Sequence, residues 1–432
     1  MLHEQKILQQ VLEHIGDEPA AKYYLRKYGK QGKTAVIKIG GGVIESELPT
    51  LTQSLLLLSR LGLNIVVIHG AGPQIDQALD QRQLPTQRLD GMRITPTEHI
   101  AVIAQAIQSA HQQLLRGLSQ QRIQTASLSQ GVFQCQHLDQ KRYGEVGDIE
   151  QLNSHEIKRH LNNHQVVVIP CLGHLANGQA VNINADCATR ELVWALQPEK
   201  VIFVTPTGGL LNADDEVISA IQLSSQYDDL MQQDWVHSGM RLKLEQIHAL
   251  LKPMDASMSV SMTSARNLVK ELFTHRGAGT YIAKGEEIEI FDTISKQQLQ
   301  PLTQLLEDSF GRSLKSHALT NLPVKSLFMA TSGEAAALVV HGIDGMPYLD
   351  KFAVTRKAQG RGLAKALWLR LKQEYPQLYW RSRANNSING WYFQQADVSY
   401  KHRNWVGFSY GIEMPLVLPC LQHAFTLEES WL

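Results

Sequence analysis

Two glycine-rich turns, each beside a cation, are the stretches of this chain best suited to chemistry. Lys38-Ile39-Gly40-Gly41-Gly42 closes an apolar run that starts at Thr34. Gln359-Gly360-Arg361-Gly362-Leu363-Ala364 opens an amphipathic stretch. Without a Cβ, glycine lets backbone N–H groups approach phosphate oxygens, and a neighbouring lysine or helix N-terminus adds positive charge. The two turns lie too far apart in the chain for one nucleotide site in a single domain. They predict two active sites, one for each of two phosphate-bearing substrates.

Further groups cluster in sequence around each turn. His69-Gly70-Ala71-Gly72-Pro73 is another glycine turn at the end of the next apolar run. In a parallel sheet both turns fall at one carboxyl edge, where ligands bind. Gly70 and Gly72 therefore join Gly40, Gly41 and Gly42 as cradle candidates. Arg93 suits two-pronged binding of a carboxylate, or else a surface salt bridge. Asn182-Ile183-Asn184-Ala185-Asp186 puts two amides and a carboxylate on a strand-to-helix turn, where Asp186 also suits a helix N-cap. Gly239-Met240-Arg241-Leu242-Lys243 supplies a second lysine.

Beside the later turn, Leu349-Asp350-Lys351-Phe352-Ala353-Val354 alternates, so Lys351 is expected to share a face with Leu349 and Ala353. Trp380-Arg381-Ser382-Arg383 puts both arginines on one face. In neighbouring strands, Lys351 and Arg383 would form a cationic floor for an acceptor with two carboxylates. Asn386 can bind acceptor carboxylate or amide groups. Within Trp391-Tyr392-Phe393, Tyr392 can act as a general acid, while Trp391 and Phe393 read as core.

These groups need elements to hold them. Residues 34–39, 64–68, 165–169 and 200–205 read as strands. Their continuous Val/Ile character predicts burial on both faces of a mostly parallel sheet. Residues 54–61, 75–81, 97–118 and 188–196 read as intervening helices. The implied class is α/β, with helices on both sides of a sheet. The pattern then changes: helix 303–310, strands 335–340 and 349–354, helix 362–374 and strand 378–383 describe a smaller mixed α/β domain. The boundary is placed at residues 291–295, giving domains 30–290 and 296–432 after a helical extension, 1–29. That extension carries an apolar stripe, Ile7, Leu8, Val11, Leu12 and Ile15, suited to its own domain or to another subunit.

Bulk composition narrows the classes. A chain of 432 residues exceeds one core, and 43% apolar residues argue against extensive disorder. Lys+Arg and Asp+Glu balance at 41 each, so no global field draws in nucleic acid or a membrane surface. Cys135, Cys171, Cys187 and Cys420 lack paired spacing, which points to no metal site and to reduced thiols in the cytoplasm. The first 27 residues mix charges and lack a signal-like apolar run.

With these residues in view, the segment from about 30 to 290 resembles the amino-acid kinase family, and within it the N-acetylglutamate kinases. The resemblance implies that ATP, with Mg²⁺, phosphorylates the side-chain carboxylate of N-acetyl-L-glutamate. It implies that Lys38 with Gly40, Gly41 and Gly42 holds the phosphates and that Arg93 takes the substrate α-carboxylate. Asn182 would bind substrate, Asp186 would organise the two lysines, and Lys243 would stabilise the moving phosphoryl group. A carboxylate nucleophile is already ionised at neutral pH and needs no general base. One departure is Val204-Thr205-Pro206-Thr207, which lacks the aspartate of many members. The stretch with Glu271, His275, Gly277 and Gly279 resembles the effector region of arginine-inhibited kinases, which also carry an N-terminal helix.

Gln359, Gly362 and Ala364 fit the [QR]-x-x-G-x-[GA] turn of the GNAT acetyltransferase superfamily. The whole turn, with Gly360, Arg361 and Leu363, would then receive the pyrophosphate of acetyl-CoA. Residues from about 296 to 420 resemble the acetyltransferase domain of the vertebrate-like N-acetylglutamate synthases. There the aligned Lys351, Arg383 and Asn386 bind L-glutamate, and Tyr392 is the general acid. Together the resemblances follow the order of bifunctional N-acetylglutamate synthase/kinases, implying a homo-oligomer (tetramer or hexamer) inhibited by L-arginine. The alternative is a synthase whose kinase-like domain only senses arginine.

Overall fold

Strand β1 (Thr34–Ile39) shows how the first part of the chain is built. Its even-numbered Val36 packs into one apolar cluster, while Ala35, Ile37 and Ile39 pack into another. Strand β2 (Asn64–His69) divides in the same way, with Val66 and Ile68 on one side and Ile65 and Val67 on the other. Successive strand side chains point to opposite faces, so burying both kinds requires a sheet covered on both sides.

The computed structural model describes residues 33–432 apart from 256–257, 274–277, 356–357, 359–362 and 387. The helical extension, and the candidates His275, Gly277, Gln359, Gly360, Arg361 and Gly362, lie outside the described residues. The chain divides into two compact units between Lys284 and Gly285.

The first unit holds an eight-stranded sheet. With β3 (Thr125–Ser127), β4 (Val166–Pro170), β5 (Lys200–Val204), β6 (Ala220–Gln222), β7 (Ser259–Thr263) and β8 (Thr280–Ala283), its order is β6-β8-β7-β5-β1-β2-β4-β3. Every neighbouring pair is parallel except β7 with β8. Helices α1 (Gly41–Ser46) and α2 (Leu48–Arg60) follow β1, and α3 (Gly72–Asp80) follows β2. Helix α4 (Ile100–Gln120) covers one face, while α5 (Ala185–Leu196) and α6 (Ser238–Leu251) pack on the other. The helix N-cap beside Asp186 is Asn184, whose Oδ1 accepts from Asp186 N and Cys187 N. Asp186 is thereby released from capping and points its own carboxylate elsewhere.

The second unit is a seven-stranded sheet covered by α7 (Lys296–Phe310), α8 (Leu363–Glu374) and α9 (Met414–Thr426). Its strands are β9 (Ile288–Phe291), β10 (Val324–Ala330), β11 (Ala335–His341), β12 (Pro347–Val354), β13 (Leu378–Arg383), β14 (Val398–His402) and β15 (Trp405–Tyr410). Their order is β9-β10-β11-β12-β13-β15-β14. The domain boundary expected at residues 291–295 is therefore too late. Ile288 to Phe291 pair with β10 and supply the edge strand of this second sheet. Helix α7 also starts earlier than expected. Ser295 and Gln298 form a capping box about two turns ahead of residue 303, the expected first residue, and Pro301 is carried inside the helix.

One strand departs from simple alternation. In the pairing of β11 with β12, Val339 faces Leu349 and Leu338 faces Lys351, so Asp350 is an extra residue. This bulge shifts the phase of the strand. Leu349 and Phe352 enter one apolar cluster, whereas Tyr348 and Ala353 enter the other. Lys351 consequently keeps company with Ala353 and not, as simple alternation predicts, with Leu349. Beyond this point β12 and β13 diverge: they pair in parallel only at Tyr348–Tyr379 and Leu349–Trp380. The gap between the splayed strands is where the second cleft opens.

Candidate active sites

The carboxyl ends of β1 and β2 and the first turns of α1, α3 and α5 border a cleft of about 500 Å³. All ten described candidates of the first site line it: Lys38, Gly40, Gly41, Gly42, Gly70, Gly72, Arg93, Asn182, Asp186 and Lys243. Lys38 sits on the face of β1 shared with Val36, its ammonium 5.5 Å from the centre of the Phe203 ring. Its Nζ is 2.7 Å from Asp186 Oδ1 in a largely enclosed ion pair. Burial alone would raise the Asp186 pKa, but the charges of Lys38 and Lys243 outweigh it and hold the carboxyl below its usual range. Burial lowers the Lys243 pKa, and the charge of Lys38 pushes the same way against the attraction of Asp186. One carboxylate thus holds two cations that repel each other, at the edge where glycine turns expose backbone.

The two glycine turns are packed together. A Cβ on Gly41 would meet Gln74 Oε1 at 2.5 Å and both Ala71 Cα and Gly72 N at 3.0 Å. Gln74 Nε2 donates to Gly41 O at 2.9 Å, bridging the turns. Pro206, in the departing stretch, lines the cleft beside Gly42, where a Cβ would lie 3.4 Å from Pro206 Cγ. Arg93 reaches Asp76 Oδ1 at 2.6 Å and Gly72 O at 3.4 Å, so it is oriented in advance. Asn182 Nδ2 donates to Thr95 Oγ1 at 3.2 Å.

Sequence reasoning did not single out Asp76, Gln74 or Glu145. Asp76 follows Gly72 by one helical turn, so the helical period places it on the same side as the cleft. Glu145 is 2% exposed and accepts from Thr97, Gln140, Gln179 and His137. Those bonds, led by His137, hold its carboxyl below the usual range despite burial. No local pattern announces it, because two of its four partners, Thr97 and Gln179, come from distant parts of the chain.

Behind Gly70 runs a buried chain of polar groups. His69 Nδ1 lies 3.3 Å from Gly70 O, His69 Nε2 lies 2.9 Å from His111 Nδ1, and His111 Nε2 lies 2.7 Å from Ser127 Oγ. A carbonyl only accepts, so His69 Nδ1–H donates, His111 Nδ1–H donates to His69, and the serine hydroxyl donates to His111. Both rings are neutral in this arrangement. Burial lowers the His69 pKa to about 3 and the His111 pKa to about 4. In the unfolded chain each protonates below about 6.5. The stabilisation from the neutral pair is therefore complete above pH 6.5 and lost as pH falls towards 4. For the fully buried His69 the slope should approach about 1.4 kcal/mol per pH unit. Urea unfolding at pH 7 and pH 5 measures this, and His69→Asn should shrink the dependence by about one proton.

In the second unit, a cleft of about 560 Å³ opens between β12 and β13. Lys351, Arg383, Asn386, Tyr392 and Ala364 line it, as do Arg312 and residues 428–431, which sequence reasoning left out. Leu363 starts α8 and is buried in the apolar cluster beneath. The cationic floor is present, but its charges are already matched by the protein. Lys351 is ion-paired with Asp350, and Arg383 is 2.5 Å from Glu429. Arg381 and Arg383 both lie over the Trp405 ring, at 4.2 and 5.1 Å from its centre. Asn386 Oδ1 accepts from Ile388 N at 3.3 Å, shaping the turn after β13.

Tyr392 is buried against Trp368, Trp380, Trp391 and Phe408. Burial raises its phenol well above the usual range. The hydroxyl therefore remains protonated, as a donor must. Its neighbours divide: Trp391 is partly buried on Phe352 and Trp368, but Phe393 is 53% exposed and leans on Phe408 by its edge. The expectation that Phe393 is core fails because the short helix Asn389–Gln395 turns that position outward.

Of the effector candidates, Glu271 Oε2 accepts from Ala278 N at 2.6 Å. Gly279 has no room for a side chain, since a Cβ would lie 2.0 Å from Met262 O. Neither lines the two clefts.

Residues 33–260 match the model of the amino acid kinase family, which is more than half of the chain. The chain belongs to the amino acid kinase family. As a family member it also carries a second module: residues 285–423 match the N-acetyltransferase domain of N-acetylglutamate synthase. That match begins where the two units divide. The kinase-family relatives include a Xylella fastidiosa protein named acetylglutamate kinase, 39% identical over 411 residues, spanning 94% of this chain and 97% of that protein. The mitochondrial ARG5,6 protein of Candida albicans is 30% identical over 420 residues, covering 94% of this chain but 48% of that protein. The chain thus spans about half of that longer relative. Among solved structures, Neisseria gonorrhoeae N-acetylglutamate synthase complexed with coenzyme A and N-acetylglutamate superposes with a TM-score of 0.62 at 19% identity. It covers 91% of this chain and 97% of its own, and it shares the fold of both modules. Among the described residues of this family member, no helix is long and apolar enough to cross a membrane.

Proposed function

We propose that this chain catalyses two consecutive reactions. The acetyltransferase unit acetylates the α-amine of L-glutamate with acetyl-CoA, and the kinase unit phosphorylates the γ-carboxylate of the resulting N-acetyl-L-glutamate with ATP. The observation that carries the reading is the buried Lys38–Asp186 pair with Lys243 in the same cleft. A unit that merely sensed arginine would have no use for two lysines organised around one buried carboxylate.

In the kinase unit a γ-carboxylate oxygen attacks the terminal phosphorus of ATP, the bond to the β-phosphate oxygen breaks, and ADP leaves. The substrate carboxylate needs no base, so catalysis is positioning and charge neutralisation. Arg93, held by Asp76, takes the α-carboxylate, and Asn182 takes a further polar group of the substrate. Lys38, Lys243 and the amides of the turns with Gly40, Gly41, Gly42, Gly70 and Gly72 face the phosphates. Mg²⁺ enters with ATP as part of the substrate.

In the acetyltransferase unit the neutral amine attacks the thioester carbonyl carbon and the C–S bond breaks. Tyr392 donates to the sulfur as thiolate character develops, and the proton that the acylated nitrogen loses returns to the phenol through water, so CoA leaves as the thiol. Lys351, Arg383 and Asn386 hold the two acceptor carboxylates, and the turn at residues 359–364, ending in Leu363 and Ala364, receives the CoA pyrophosphate. Feedback inhibition by L-arginine near Glu271 and Gly279, a homo-oligomeric state (tetramer or hexamer) and a cytoplasmic site complete the proposal.

Two assays test it. ATP-dependent hydroxamate should form from N-acetylglutamate and fall by about 10²-fold or more in a Lys243→Ala control, which keeps the Lys38–Asp186 pair. Free CoA thiol should be released when glutamate is added to acetyl-CoA. Thiol release without hydroxamate would leave only a synthase with a kinase-like sensor.

A further inference from the structure

The acceptor cleft of the acetyltransferase unit is partly filled by the chain itself. After α9, Leu427 turns extended, and the following residues lie along the segment that succeeds α7. Leu314 and Trp431 form an antiparallel bridge. Lys315 N donates to Ser430 O, and Leu432 N donates to Ser313 O, each at 2.9 Å. From this short strap three side chains reach the cleft. Glu429 Oε2 lies 2.5 Å from Arg383 and 3.6 Å from Arg312. Ser430 Oγ is 2.9 Å from Lys351 Nζ. Trp431 covers Lys351, whose ammonium is 5.8 Å from the ring centre, and packs on Phe310.

We propose that Glu429 is a built-in stand-in for an acceptor carboxylate. The strap occupies the acceptor subsite at rest, and a dicarboxylate amino acid enters by exchanging its own carboxylate for that of Glu429. The inference rests on the acceptor site assigned above. Its logic is one of matched chemistry: a protein carboxylate and a hydroxyl already sit on the same two cations that an acceptor with two carboxylates would use. A second carboxylate arriving on Arg383 would meet the like charge of Glu429, so one of them must leave. The resident pair is easily exchanged, because the Arg383 and Glu429 side chains are 40% and 34% exposed and such pairs hold weakly. The strap is fastened to the 313–315 segment through a single bridge and its flanking bonds, so lifting it disrupts no sheet.

The test is Glu429→Gln, which keeps shape and removes charge. The KM for glutamate should fall about twofold to fivefold, the range expected for losing one weak competing ion pair, while the KM for acetyl-CoA stays put. Hydrogen exchange gives an independent readout in the unaltered protein: saturating N-acetylglutamate, or glutamate itself, should speed exchange at the Leu432 and Lys315 amides. A glutamate KM that is unchanged or higher in the variant would overturn the stand-in, as would exchange that is unchanged or slower on adding either ligand. Wild-type protein that releases no CoA with glutamate would instead defeat the acceptor assignment, and the exchange experiment would still judge the strap.

Discussion

Lys243→Ala is expected to lower the turnover of N-acetylglutamate phosphorylation by about 10²- to 10³-fold, the usual effect of removing one fixed charge from a developing transition state. The same protein should acetylate glutamate at the wild-type rate, since that chemistry belongs to the other unit. Lys243 is a cleaner target than Lys38. Removing Lys38 strips Asp186 of the partner 2.7 Å away and leaves a buried carboxylate exposed to the full desolvation penalty, so folding and catalysis would fail together. Without Lys243, the Lys38–Asp186 pair survives, and the loss reports on phosphoryl transfer. Hydroxamate formation at saturating N-acetylglutamate measures it, with CoA release by the same preparation as the internal control. Unchanged phosphorylation would remove Lys243 from the mechanism.

The second large effect belongs to Tyr392. Tyr392→Phe should reduce kcat for acetyl transfer by about 10²-fold, at the lower end of general-acid contributions, with the KM for glutamate little altered. The ring sits among Trp368, Trp380, Trp391 and Phe408, and phenylalanine preserves all of these contacts. The variant therefore separates the hydroxyl from the packing. Because burial holds the phenol above its usual range, the donor is fully protonated through neutral pH. The wild-type rate should accordingly show no loss up to pH 9 that Tyr392→Phe abolishes. If turnover survives the substitution intact, another group protonates the thiolate.

The residues of the first candidate site were legible in the sequence as a group because its pieces sit at strand ends in a parallel sheet. Continuous Val/Ile runs announced the strands, glycines marked their carboxyl ends, and one edge collects whatever follows them. Asp76 and Glu145 escaped because each acts through partners brought together only by folding. The second site was readable as a set of residue types but not as a geometry. Strict alternation misplaced Lys351 because a bulge has no compositional mark here, and a boundary drawn where the pattern of helices and strands changes left Ile288 to Ile290 in the first domain, although they pair with the second sheet. The strap was invisible for a different reason. Residues 428–431 carry no motif, and their importance comes only from where α9 delivers them.

The bulge at Asp350 has one more consequence: the extra residue adds a charge to the floor without deciding which way the lysine faces. Deleting Asp350 would leave Lys351, Arg383, Asn386 and Tyr392 all in the sequence and restore the even alternation of β12, with Leu338 still opposite Lys351 and Val339 still opposite Leu349. The lysine would stay on the side of Ala353, because Leu349 already lies on the other side. What would go is the carboxylate paired with its ammonium. A relative one residue shorter here would present the same cations to an acceptor with one resident carboxylate fewer, so the length of this stretch sets the charge of the floor.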